Sequence, residues 1–210
     1  MAMFVIKKTI GQNELQYGLK PGYGWNTAVF ILQHVANYFR ARQSNVYMSA
    51  IDSSKAFDRI NHQKLTSKLI QRQLPTCFLN IFVNWYSKYS CVRWNGVLFS
   101  RFKALCGLRQ GGILSPILFN IYVNDLIDSL RATNVGYSIS NVFMGCITYA
   151  DDLILISPSV GGLQSMLTVC TDYGHYFDIV FNAKKCMLMC VRKHYTAAGI
   201  SVFIDNVALT

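Results

Sequence analysis

Acidic residues are scarce in this chain: ten Asp and Glu face twenty Lys and Arg among 210 residues, leaving a formal net charge of +10 and a pI near 9.3. That surplus draws polyanions, of which nucleic acid is the commonest; charge kept for solubility is the plainer alternative. No apolar run approaches the ~18 uninterrupted residues that indicate a membrane-crossing helix. The N-terminal MAMFVIKKTIGQNEL lacks the long apolar centre and small-residue cleavage site of a secretory signal. No internal repeat, low-complexity tract or linker interrupts the chain, so one compact unit is expected. Its seven Cys (77, 91, 106, 146, 170, 186 and 190) are odd in number and include no C-x-x-C pair. A disulfide framework is therefore not indicated, and a reduced, intracellular chain in the nucleus or cytoplasm is expected. Cys186 and Cys190 could join His175 and His194 in a metal site, but no second close-spaced Cys pair supports one, and buried thiols fit better.

What is present is a chain able to bury a real core, with 52% hydrophobic residues. Residues 27–42 carry Val29, Ile31, Leu32, Val35, Ala36 and Phe39 at near-helical spacing, with Thr27 as a possible cap. NVYMSAID alternates Val46, Met48 and Ala50 against Tyr47, Ser49 and Ile51 and predicts a strand ending at Asp52. HQKLTSKLIQRQL and TCFLNIFVNWYSKY predict helices separated by Pro75, and SCVRWNGVLFSRFKAL a hairpin turning at Asn95-Gly96. GLRQGGILSP then breaks the rhythm, and Ser115 at the N-cap with Pro116 at the first helical position predicts the start of a helix over PILFNIYVNDLIDSL. VFMGCITYADDLILIS gives two strand-like halves bent at Ala150-Asp151-Asp152, followed by a helix over GLQSMLTVCTDYGHYFD and a strand or hairpin over IVFNAKKCMLMCV. This order predicts an α+β fold, a mixed antiparallel sheet with helices on its back.

Asp151 and Asp152 need an explanation. Asn-Gly makes a tight turn more easily, and adjacent like charges repel. Hard divalent cations such as Mg2+ compensate such charges through carboxylate oxygens plus substrate phosphates. Asp52, at a strand end, is the best third acid, because neighbouring strands lie only ~4.8 Å apart. Three such carboxylates suit a two-metal site for in-line displacement at phosphorus. Taken alone, however, Asp-Asp at a turn is ordinary surface chemistry.

The context is more specific. YADD (149–152) resembles motif C of reverse transcriptases, AIDSSKAFDRINH (50–62) their motif A, GLRQGGILSPILFNIYVNDL (107–126) their motif B and FNAKKCML (181–188) their motif D. QYGLKPGYGWNTAVF (16–30) is similar to the segment before motif A. The four motifs come in family order, and the likeness, greatest to non-LTR retrotransposons, covers residues 16 to about 205.

The resemblance implies a polymerase right-hand palm with partial fingers and the thumb missing. The palm would occupy about 46–64 and 111–210, and the fingers about 1–45 with an inserted 65–110. It implies Asp52, Asp151 and Asp152 as metal-binding catalytic acids for two Mg2+ ions (Mn2+ possible), with the Ser53 carbonyl on the nucleotide-side ion. Phe57 would lie under the incoming sugar and select deoxyribonucleotides; Gln110 and Gly111 would line the nucleotide pocket, and Arg109 would contact phosphate. Lys185 would serve the pyrophosphate leaving group, with Lys184 beside it as an alternative. Asp58, off the face of Asp52, is expected to be structural, capping the next helix. The implied activity is RNA-directed DNA synthesis, with an RNA template, a DNA primer, deoxynucleoside triphosphates and no membrane partner.

Residues 1–15 do not resemble the family's upstream fingers, while ISVFIDNVALT resembles the hairpin just before the primer grip. A fragment cut at both ends is therefore expected. Cys186 stands where the family commonly has serine. A group II intron maturase and a non-catalytic nucleic-acid-binding remnant are the alternatives. An RNA-dependent RNA polymerase is a third, which Phe57 argues against.

Overall fold

A computed structural model describes residues 13–18, 20, 22–109, 111–191 and 200–209. In chain order the elements are α1 (Trp25–Ala41), β1 (Val46–Ile51), a 3-10 turn (Ala56–Arg59), α2 (His62–Gln71), α3 (Thr76–Tyr86), the short strands β2 (Tyr89–Ser90), β3 (Arg93–Trp94), β4 (Val97–Leu98) and β5 (Phe102–Lys103), and α4 (Ser115–Ala132). Then come β6 (Ser138–Ile139), β7 (Val142–Phe143), β8 (Cys146–Tyr149), β9 (Asp152–Ser157), α5 (Val160–Phe177), β10 (Met187–Val191), β11 (Val202–Ile204) and β12 (Val207–Leu209). They fall into two units, one whose described residues are Phe57–Tyr122 and one formed by Gln12–Ala56 with Val123–Thr210; the division lies within α4.

In the larger unit, β10, β1, β9 and β8 form one antiparallel sheet in that order. Strand alternation sends Val46, Met48, Ile147 and Ile156 to one face, where they pack with Ala28 and Val35 of α1. On α5, Leu163, Met166, Leu167 and Cys170 are buried, and this helix packs on β9 and β1. With helices against it, β9 is a nearly continuous apolar run instead of an alternating one. Ser159 caps α5 by accepting the Gly162 N–H. The β11–β12 hairpin is fastened to α5 by Gln164, whose side chain bonds both the N–H and the carbonyl of Phe203.

Helix α1 starts earlier than the expected Thr27. Gly24 holds the extended cap position, and its carbonyl accepts the N–H groups of Thr27 and Ala28. Trp25 packs edge-on against Tyr149 with ring centroids 5.5 Å apart, so tertiary packing and not a side-chain cap sets this end.

The smaller unit holds the 3-10 turn from Phe57 onward, and α2. The cap of α2 is Asn61, whose side-chain oxygen accepts the N–H groups of Gln63 and Lys64. The role expected of Asp58 belongs to Asn61, because Asp58 lies inside the preceding turn. Helices α2 and α3 break at Pro75 as expected. β3 pairs with β4 across Asn95 (φ 47°) and Gly96 (φ 80°), the left-handed pair that a two-residue hairpin demands, and β2 pairs with β5 outside it. Gly107, at φ 89°, passes so close to Asp58 that a Cβ would lie 2.9 Å from its carbonyl oxygen. Ser115 is already helical; its hydroxyl donates to the Arg109 carbonyl, tying the loop to the helix instead of capping α4.

Candidate active site

The register of β1 with β9 runs unbroken from Tyr47↔Ser157 to Ile51↔Leu153. One step further it sets Asp52 across from Asp152, while β8 closes its own ladder at Tyr149↔Asp152. Alternation then puts both carboxylates on the face shared by Ala50 and Ile154, the side of α1. Asp151 occupies the two-residue turn between β8 and β9. Acids separated by about a hundred residues of chain thus meet at one end of the central strands.

Past Asp52 the chain stays anchored. The Asp52 carbonyl accepts the Asn182 N–H at 2.9 Å, Ser53 bridges Phe181, and the Ser54 N–H donates to the Val180 carbonyl at 2.8 Å. The segment before β10 is thereby fixed beside the acids. Lys185 places its Nζ 3.5 Å from Asp52 Oδ2, and Lys184 lines the same cleft. That cleft has a volume of about 720 Å³, with Trp25, Leu32, Ile154 and Met187 in its apolar wall and Asp52 and Asp152 in its lining. Cys186 is buried and interacts with the Asp52 backbone, and burial raises its thiol above the ordinary value.

Asp152 remains open to solvent on one side, yet its carboxyl is raised above the ordinary carboxylate range. Partial burial is the main cause, followed by the negative charges of Asp151 and Asp52, with Lys185 pulling the other way. Asp151 and Asp52 therefore repel the charge on Asp152, and a cation among the carboxylates would relieve that repulsion. Their oxygens are the donors hard divalent ions prefer, which fits Mg2+ or Mn2+. Among the described residues no three His, Cys, Asp or Glu side chains close into a cage. An open carboxylate edge suits Mg2+, which keeps several waters and takes one or two carboxylates plus phosphate oxygens. The alternative Cys186–Cys190–His175 grouping forms no such cluster either, and His194 lies outside the described residues.

The remaining expected residues belong to the smaller unit. Phe57 is half-buried and stacks on the buried Phe119 with centroids 4.4 Å apart and planes 14° from parallel. Arg109 is exposed; its guanidinium lies 5.6 Å from the Trp85 ring centroid and donates to the Trp85 carbonyl at 3.3 Å. Gly111 is exposed at φ 76°, a conformation that favours glycine. Gln110 lies outside the described residues.

One participant went unnoticed in the sequence. Gln16 is buried and hydrogen-bonds the turn residue Ala150. Only its place beside Gly18 in the segment before motif A hints at it.

A family model described as reverse transcriptase (RNA-dependent DNA polymerase) matches residues 5–202. The Pol polyprotein of the type-2 retrotransposable element R2DM from Drosophila melanogaster is 29% identical over 163 residues, which cover 77% of this chain and 15% of that protein. The RNA-directed DNA polymerase from mobile element jockey of Drosophila funebris is 27% identical over 164 residues, covering 74% and 18%. This chain thus spans less than a fifth of either relative. Among solved structures, telomerase from Candida tropicalis with a fragment of telomeric RNA superposes with a TM-score of 0.63 at 15% identity, covering 84% of this chain and 30% of that one. A telomerase from Candida albicans gives 0.64 at 13% identity, covering 98% and 36%. At such identities these structures establish a shared fold.

Proposed function

The chain belongs to the reverse transcriptase (RNA-dependent DNA polymerase) family, and we propose that it carries the nucleotidyl-transfer site of a non-LTR retrotransposon polymerase, adding deoxynucleotides to a primer 3′-hydroxyl on an RNA template. The observation that carries this reading is the β1–β9 register, which brings Asp52 opposite Asp152 beside the Asp151 turn. In this reading residues 46–64 and 111–210 are palm, and 1–45 with 65–110 are fingers.

Asp52, Asp151 and Asp152, with the Ser53 carbonyl, would hold two Mg2+ ions. Bound there, the ions supply Lewis-acid stabilisation of the attacking hydroxyl and of the departing pyrophosphate. The chain's own groups supply the rest. Lys185 brings an ammonium proton to the edge where pyrophosphate leaves, and its ion pair with Asp52 keeps it there before substrate arrives. Phe57, which stacks on Phe119, would exclude a ribose 2′-hydroxyl if it lies under the incoming sugar. Gly111 leaves open backbone for a nucleotide, and Arg109 offers a guanidinium to phosphate.

Primer extension on an RNA template with Mg2+ or Mn2+ tests this directly. The chain should incorporate deoxynucleotides, and Asp151→Ala with Asp152→Ala should reduce incorporation to background. Incorporation no higher in the wild type than in the variant would remove the catalytic role of the acids, at background leaving only a nucleic-acid-binding remnant, and preference for ribonucleotides would remove the role given to Phe57.

A further inference from the structure

The turn carrying Asp151 is awkward to build. Its first residue, Ala150, has φ 56°, a left-handed conformation that is unfavourable for a residue with a Cβ. The compensation comes from about 130 residues upstream, where residues 15–17 pair with Thr148. The Thr148 N–H donates to the Leu15 carbonyl at 2.9 Å, and the Tyr17 N–H to the Thr148 carbonyl at 2.8 Å.

From this short parallel bridge the Gln16 side chain reaches the turn. Its Oε1 accepts the Ala150 N–H at 3.1 Å and the Gly18 N–H at 2.9 Å, and its Nε2 donates to the Ala150 carbonyl at 3.2 Å. One amide therefore satisfies both backbone groups of the strained residue, from a position only 2% exposed. The chemistry is restrictive. Asn is one methylene short, Glu has no donor when ionised, and Met has neither donor nor an effective acceptor. Gly18 belongs to the same arrangement, since a Cβ there would lie 2.1 Å from the Ala150 nitrogen.

We propose that Gln16, with Gly18 giving it room, is a positioning residue that locks the Ala150–Asp151 turn and so holds the carboxylates of Asp151 and Asp152 in the arrangement that binds divalent cations. It touches neither cation nor substrate. Its effect passes through the backbone of Ala150, as ligand geometry elsewhere depends on the groups that hold the ligands. The cation part of the inference rests on the metal-binding role proposed above for the three acids; the locking of the turn stands on the hydrogen bonds alone.

The test uses the 210-residue chain in wild-type form and as Gln16→Met, Thr148→Val and Asp151→Asn. Thr148→Val removes a hydroxyl that donates to the same Leu15 carbonyl at 3.1 Å but does not touch the turn, so it controls for general weakening of the bridge. Two quantities are read: amide hydrogen exchange at residues 149–152 without metal, and Mn2+ affinity by electron paramagnetic resonance. Gln16→Met should quicken exchange in the turn about tenfold and weaken Mn2+ binding about tenfold or more, while Thr148→Val alters neither. Exchange as slow in Gln16→Met as in wild type, or equal changes in both variants, would overturn the locking role. Quickened exchange with unchanged Mn2+ affinity would overturn the link to the acids. If Mn2+ binds wild type and Asp151→Asn equally, the metal-binding role of the acids fails, and the exchange measurement still decides the locking of the turn. Should Gln16→Met not fold, Gln16→Asn, which stays polar but is one methylene short of the Ala150 backbone, is read by exchange with the same outcomes.

Discussion

At the scale of single residues, the acidic edge trades folded stability for charge density. Asp152 binds its proton more tightly in the folded chain than an ordinary aspartate does, because of burial and then of Asp151 and Asp52. By linkage, that tighter binding favours the fold below the ordinary aspartate range, and the benefit is lost as pH rises through the raised value. At neutral pH without metal the ionised group is therefore a liability. Asp152→Asn should melt at or above the wild-type temperature at pH 7 in EDTA, and its advantage should shrink toward pH 4. Added Mn2+ should reverse the order by stabilising the wild type more, since only a ligand bound by the folded state raises its stability. Thermal melts at two pH values, with and without Mn2+, check both signs; an Asn variant less stable than wild type at pH 7 in EDTA would contradict the electrostatic account.

At the scale of elements, local signals served best where one residue type does one job. Asn95-Gly96 announced its hairpin because few pairs tolerate two left-handed residues in succession. Alternation in NVYMSAID located β1 and delivered Asp52 to its end. Cap assignments went astray where tertiary contacts outweighed local preference, at Gly24 through Trp25 and at Ser115 through the Arg109 carbonyl. Asn61 is hard to single out in the sequence for a simpler reason: Asp58, three residues earlier, is an equally suitable cap residue type. Its cap is now a measurable term, and Asn61→Ala should cost about 1 kcal/mol, read as a shift in denaturant midpoint without change of slope. The acids were legible as residue types at strand ends, whereas Gln16 was not. A buried amide acting over 134 residues of separation leaves no local pattern, and its neighbours Tyr17 and Gly18 read as unremarkable.

At the scale of the whole molecule, the basic surplus is unevenly placed. Residues 57–122 hold nine Lys and Arg and one acid, Asp58, while the rest of the chain is nearly balanced, with eleven against nine. Within that segment Arg93, Arg101 and Lys103 are exposed beside Trp94, Phe99 and Phe102, which are each about half exposed or more. Exposed rings among cations suit single-stranded nucleic acid, because rings stack on bases while cations neutralise phosphates. The two contributions separate by salt. Each neutralised phosphate on a single strand contributes about 0.7 to the slope of log affinity against log salt. Replacing Arg93, Arg101 and Lys103 by Ala should therefore flatten that slope by about two for a single-stranded RNA. Trp94→Ala should lower affinity about tenfold at every salt concentration and leave the slope alone. Asp151→Asn, in the other unit, should do neither of these. Fluorescence-anisotropy titrations from 50 to 200 mM salt distinguish the cases. A slope unchanged by the triple substitution would show that the RNA is held elsewhere, and that the aromatic hairpin serves some partner other than the template.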